Sequence, residues 1–192
     1  HLSIRRQRQM CIRDRSEVAK ILAELGATVI DADEVGHRVY APDTQAWREI
    51  VDRWGGGVLR PDRTIDRARL AGIVFSGPTE LAKLNSIVHG RMSHMLREEI
   101  ARRKEAVGAK GAVVLEAALL IEAGWVQLVD EVWVVAAEEQ VVIRRMSKAK
   151  GMRPKEVRAR IESQISLEER ARHASIVIEN NGSLASLRAR VS

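Results

Sequence analysis

Along most of its 192 residues the chain alternates between stretches with apolar positions at helical spacing and short runs that are apolar throughout. After Ser16, the residues Val18, Ile21, Leu22 and Leu25 share one helical face, with Ser16 placed to cap that helix and Gly26 to end it. Residues 27–30 (ATVI) read as a buried strand that stops at Asp31. Residues 44–54 are amphipathic through Trp47, Ile50, Val51 and Trp54, and the glycines at 55–57 close that helix. Asp66 reads as the cap of a further helix reaching Phe75. A long helix follows Pro78, with Leu81, Leu84, Ile87, Val88, Met92, Met95, Leu96 and Ile100 at helical spacing. Beyond it the pattern predicts strands at 112–115 and 132–136 and a helix over 138–148. A second helix over 155–173, reached through Gly151 and Pro154, is followed by a last strand at 175–178. A turn at 180–182 leads into a closing helix.

Strands this short, apolar on both faces and separated by helices, predict an α/β fold built on a parallel sheet covered on both sides. Residues 44–103 contain helix without an intervening strand and read as a helical insertion.

Composition narrows the setting. A hydrophobic content of 45% excludes intrinsic disorder, and no apolar run approaches the length of a spanning helix. The opening has no apolar core segment of the secretory kind, and the single cysteine, Cys11, has no internal disulfide partner. A cytoplasmic protein with no membrane partner is the expectation. The net charge of +6 is unevenly spread. Residues 1–15 carry +4 and residues 144–160 carry +7, which leaves the remainder at −5. This is a mildly acidic body with two basic segments, which favours a local anion site over a nucleic-acid surface. Six aromatic residues are too few for a base-stacking platform, so no nucleic-acid partner is expected.

Two segments could carry chemistry on position alone. Asp31-Ala32-Asp33 stands at the carboxyl end of a predicted strand, where open α/β sheets place ligands, and a carboxylate there could accept a proton from a hydroxyl nucleophile. The plainer alternative is that one Asp caps a helix and the other is solvated. The basic run Arg144, Arg145, Lys148, Lys150, Arg153, Lys155, Arg158 and Arg160 contains only Glu156 as a counter-charge. Arg144 and Lys148 stand four apart on one helix face and could clamp a phosphate chain, although a solvated helix pair would carry similar charges. Asn180-Asn181-Gly182 could be no more than a turn, and His89 lies in mid-helix, where histidine is more often structural. No His/Cys spacing suggests zinc, and no local signature suggests a Ser-His-Asp arrangement.

From Ser16 to about Leu187 the chain resembles the dephospho-coenzyme A kinases. The stretches that carry the likeness are SEVAKILAELGATVIDAD (16–33), TIDRARLAGIVF (64–75), LAKLNSIVHGRM (81–92), LEAALLIEAG (115–124), RRM (144–146) and SIVIENNG (175–182). The resemblance implies a three-layer P-loop kinase-type fold: a parallel five-stranded sheet, a helical substrate domain over 44–103, and a lid with flanking helices over 138–173. It implies transfer of the ATP γ-phosphoryl group to the ribose 3′-hydroxyl of dephospho-coenzyme A, the last step of coenzyme A biosynthesis, with Mg2+ as cofactor. Asp33 matches the proposed base on that hydroxyl and Arg144 a lid arginine facing the transferred phosphate. Asn180 falls beside the adenine. His89 matches the histidine of a His-Pro pair on the substrate side, with Gly90 in place of the proline.

The front of the chain departs from this pattern. The family opens with an apolar strand and the loop G-x-x-x-x-G-K-S, whose amides cradle phosphates while the lysine neutralises them and the serine holds magnesium. Here residues 9–16 read QMCIRDRS. Ser16 survives as the magnesium ligand, Arg15 stands at the lysine position, and Gln9 and Asp14 replace the two glycines. At 4 Å, Asp14 would repel a phosphate by on the order of 4 kcal/mol, roughly a thousandfold in affinity. Residues 2–8 (LSIRRQR) lack an apolar run. The expectation is that residues 1–15 are foreign or altered, resembling a translated sequencing adapter joined at Arg15/Ser16, and that the chain binds ATP poorly. The rival expectation is a non-catalytic nucleotide or coenzyme A binding protein. Oligomeric state is not legible.

Overall fold

The computed structural model describes residues 8–9, 12–162 and 164–192. The expectations for residues 1–7, 10 and 11, Cys11 among them, lie outside the described residues. In chain order the elements are β1 (Arg8–Gln9), α1 (Ile12–Glu24), β2 (Thr28–Asp31), α2 (Ala32–Val39), α3 (Gln45–Trp54), α4 (Arg67–Val74), α5 (Pro78–Val107), β3 (Val113–Glu116), β4 (Trp133–Glu138), α6 (Glu139–Lys150), α7 (Pro154–Glu162), α8 (Leu167–Arg172), β5 (Ile176–Glu179) and α9 (Leu184–Val191). Short 3-10 turns stand at Gly56–Val58 and Trp125–Leu128. The chain divides into two compact units, residues 1–29 with 109–192, and residues 30–108.

The first unit is organised by β4. It pairs in parallel with β5, in the register Trp133↔Ile176 through Ala136↔Glu179, and its residues Val134 to Ala137 are all buried. Burial on both faces is what an unbroken apolar run in a parallel strand requires. On one side Val18 and Ile21 of α1 and Leu187 and Val191 of α9 close over Val135 and Ile178 in one cluster. A second cluster joins Ala137 to Val141, Val142, Ile143 and Met146 of α6 and to Val157 and Ile161 of α7.

Three sequence expectations are corrected here. The parallel five-stranded sheet is not formed among the described residues, where a three-stranded sheet ordered β1-β4-β5 and a two-stranded sheet of β2 and β3 stand instead. β1 is two residues long and antiparallel to β4, Arg8 facing Glu138 and Gln9 facing Ala137. Polar Arg and Gln cannot supply the apolar strand that would sit between the two halves of the sheet. Second, α1 begins at Ile12, so Ser16 lies inside the helix and does not cap it. Third, the single helix expected over 155–173 is two helices. The Ser166 hydroxyl accepts the Glu169 amide at 3.1 Å and starts α8 afresh, with Glu168 and Glu169 in its first turn.

In the second unit α5 is the spine. It runs for 30 residues, and α2, α3 and α4 pack along it over the buried side chains of Val35, Ile50, Val74 and Leu96. Asp66 caps α4 as the sequence predicts, accepting from the amides of Ala68 and Arg69, while Thr44, expected as the first helical residue, caps α3 by accepting from the Trp47 amide. Helix α2, eight residues long, starts from Asp31, the cap that the plainer reading of Asp31-Ala32-Asp33 expects. Polar ties fasten α3 to α5, with Arg91 donating to Glu49 at 2.6 Å and the Trp54 indole to Glu80 at 2.7 Å.

Glu99 of α5 is buried and gathers arginines around it. Arg102 donates to both its oxygens at 2.7 and 2.6 Å, Arg103 donates at 3.0 Å, and Arg38 of α2 stands 3.7 Å away. Hydrogen bonds from Arg102 above all hold its carboxyl below the ordinary carboxylate range. A carboxyl depressed in this way stabilises the fold fully above its ordinary pKa, and the stabilisation disappears as pH falls through the lowered value. Glu99→Gln is expected to cost about 1–2 kcal/mol at neutral pH, since charge-assisted hydrogen bonds become neutral ones. Urea titrations over a pH series check this: the gap between the two proteins should close in acid.

Candidate active site

The residues at the start of α1 and the end of β3 meet inside the first unit. The Ser16 hydroxyl donates to Glu116 Oε1 at 2.6 Å, both side chains being partly buried. Glu116 is the last residue of β3, so its carboxylate emerges at the carboxyl end of a strand, where α/β proteins bind ligands. A hydroxyl and a carboxylate are hard oxygen donors of the kind Mg2+ takes, and that ion usually keeps several waters and completes its shell with substrate phosphates. Reading the sequence singled out Ser16 and passed over Glu116. The available signal was an acid closing an apolar strand, VVLE.

Arg15, one residue earlier in α1, is partly buried. Of positions 9–16, Gln9 lies in β1 and residues 12–16 are helical. A helix lines its amides up along one axis, and from its fifth residue onward each is spent on the helical ladder.

The basic run divides on inspection. Arg158 donates to Glu139 at 3.0 Å and Arg153 to Glu156 at 2.8 and 2.6 Å, so both are internally paired. Arg145 reaches the turn after β5, donating to the carbonyls of Asn180 at 2.9 Å and Gly182 at 2.8 Å. Arg144 and Lys148 are exposed, and neither makes a hydrogen bond or ion pair among the described residues. Asn180 is buried, and its amide donates to the Ala136 carbonyl at 2.7 Å. Asn181 accepts the Glu138 amide at 2.8 Å through its side chain. The turn at 180–182 is therefore fixed from β4 and from α6, and Arg145 is a positioning residue that reading the sequence grouped with the lid charges.

In the second unit Asp31 caps α2, accepting the Asp33 amide at 2.7 Å, which leaves Asp33 exposed in the first turn. One aspartate thus shapes the helix and the other is presented to solvent. Asp33, His37 and Tyr40 follow at i, i+4 and i+7, one helical face. The His37 and Tyr40 rings meet edge to face at 6.4 Å, and Arg67 contacts the His37 Nε2 atom. Burial pushes the Tyr40 hydroxyl pKa up, Arg67 draws it down and Asp33 raises it again. His89 is on α5, and burial lowers its pKa, so the ring is neutral at pH 7. α5 continues without a break through Gly90, where a proline would remove an amide donor and kink the helix. Asp33 and His89 belong to the unit 30–108, and Arg15, Ser16, Arg144 and Asn180 to the other.

Comparison with known proteins gives a consistent answer. The model of the dephospho-CoA kinase family matches residues 13–186. A dephospho-CoA kinase of Symbiobacterium thermophilum is 43% identical over 179 residues, spanning 92% of this chain and 73% of the relative. The Dehalococcoides mccartyi dephospho-CoA kinase is 41% identical over 169 residues, spanning 87% and 83%. Among solved structures, TT1252 from Thermus thermophilus superposes with a TM-score of 0.76 at 32% identity, covering 94% of this chain and 90% of that one.

The Arg145 tie makes a local prediction. Arg145→Ala should lower stability by about 1–2 kcal/mol, through loss of two charge-assisted hydrogen bonds that are partly open to water. Lysine should restore little of it, because one ammonium does not reproduce the planar guanidinium spanning both carbonyls. Chemical denaturation of the two variants reads this directly.

Proposed function

The chain belongs to the dephospho-CoA kinase family, and from that premise we propose that its scaffold transfers the γ-phosphoryl group of ATP to the ribose 3′-hydroxyl of dephospho-coenzyme A. The observation that carries the reading is the family match over 13–186 together with the Ser16–Glu116 contact at the end of β3. The fold is α/β with parallel strands, and no helix among the described residues is long and apolar enough to cross a membrane.

Each residue then has a task. Asp33, exposed on α2, accepts the proton of the attacking hydroxyl. Arg144, exposed on α6, faces the transferred phosphoryl group and offsets its charge. Arg145 holds the turn at 180–182 in place, so that Asn180 lines the adenine side. His89, neutral, lies toward the acceptor nucleotide. Ser16 and Glu116 would hold Mg2+, which would supply positive charge against the phosphates. Phosphoryl transfer relies on positioning and charge more than on covalent catalysis, so this small set suffices.

We infer further that the triphosphate grip of this chain is impaired. Gln9 and Asp14 stand where glycines let backbone approach phosphate. The altered front end also favours a second reading, a protein that binds nucleotide or coenzyme A without turnover.

A coupled assay with ATP, Mg2+ and dephospho-coenzyme A tests the function. The chain as it stands should turn over feebly. The variant Q9G/D14G/R15K, with an apolar strand restored at 2–8, should phosphorylate dephospho-coenzyme A; failure to do so would sink the kinase reading. In that repaired protein Asp33→Asn should reduce kcat by about 10²–10⁴-fold with little change in KM for ATP. Equal kcat values would remove Asp33 from the base role.

A further inference from the structure

Arg170 of α8 is only 4% exposed, which is exceptional for an arginine. Its Nη2 group donates to Gln164 Oε1 at 3.0 Å and to the Ile165 carbonyl at 2.6 Å. Its Nε and Nη1 atoms are buried and have no hydrogen-bond partner among the described residues. A guanidinium carries five N–H donors and cannot shed its charge, so the remaining donors are committed to the interior without an acceptor. Buried charges persist when they are paired, and half of this one is not.

What surrounds it indicates the missing partner. Burial above all opposes the charge of the guanidinium; of two side chains in the same unit, Glu122 favours that charge and Arg15 opposes it. Glu122 is exposed and makes no hydrogen bond to Arg170. Arg15 stands at the position from which a phosphate-loop cation reaches the β- and γ-phosphates. Arg15, partly buried, adds positive charge felt at Arg170, which an anion held by the Arg170 donors would offset. Oxygens of a phosphate chain accept from several N–H groups at once.

We propose that Arg170 is a phosphate-holding residue, its unpartnered Nε and Nη1 groups bracketing, with Arg15, the triphosphate of the nucleotide donor. The assignment rests on the kinase reading for the identity of the donor, but the anion site itself does not depend on turnover. It also gives the bonds to Gln164 and Ile165 a purpose. They fix the guanidinium from the segment between α7 and α8, so the charge is in place before the anion arrives.

Sodium tripolyphosphate is the probe, because it carries the phosphate chain without adenine or acceptor. Calorimetric titration and thermal denaturation of the full chain at low salt should show millimolar tripolyphosphate binding and stabilising it. Arg170→Met should weaken that binding by about tenfold to a hundredfold, and Arg170→Lys should recover part of it. Glu122→Gln should remain folded and bind at least as tightly, since it removes a negative charge. Three results would overturn the assignment: no tripolyphosphate binding by the unaltered chain, affinity of Arg170→Met within twofold of it, or a loss on Glu122→Gln matching that on Arg170→Met. The last would mark a structural ion pair between Glu122 and Arg170, and it decides the matter even if Arg170→Met does not fold. Absence of kinase turnover in the repaired protein would refute the acceptor assignment while leaving this binding result intact.

Discussion

A backbone amide can close a helical turn or cradle a phosphate, but it cannot do both. In this chain the contest is fought over residues 9–16. Gln9 pairs with Ala137 in β1, and α1 is already under way at Ile12. Gln9 and Asp14 stand where a concave nest of amides needs residues free to adopt glycine conformations. The rest of the molecule is arranged as if the nest were there: Ser16 and Glu116 meet beside it, and a turn clamped by Arg145 closes the edge of β5.

The same substitution explains the sheet. A parallel strand buried on both faces must be apolar along its length, and the opening offers Arg8 and Gln9 instead. Among the described residues β2 and β3 form one sheet and β1, β4 and β5 another. Burial of Val18, Ile21, Val135, Ile178, Leu187 and Val191 in a single cluster nevertheless holds α1 and α9 to β4 and β5. The hydrophobic core and the anion chemistry thus draw on different residues, so losing the second need not dissolve the first.

Much of this could be read from the sequence, and the reasons for the rest are specific. The cap Asp66 and the long helix after Pro78 were legible because capping chemistry and helical spacing are local. The break between α7 and α8 was not legible because residues 155–173 read as one helix, and only the fold shows the Ser166 hydroxyl starting a new one. The division of the basic run was out of reach for another reason. Whether an arginine is spent on a carbonyl, as Arg145 is, or left in solvent, as Arg144 is, depends on partners 35 or more residues away. Glu116 and Arg170 share that difficulty: their meaning lies in what a distant part of the chain brings to them, or leaves out.

We propose that Gln9, Asp14 and Arg15 weaken the hold of this dephospho-CoA kinase scaffold on the triphosphate. Titration calorimetry of ATP with Mg2+ into the chain as it stands and into Q9G/D14G/R15K measures that hold alone. The account requires the three substitutions to tighten binding by roughly a thousandfold, the scale set by removing one carboxylate from a phosphate site. Equal affinities in the two proteins would contradict it.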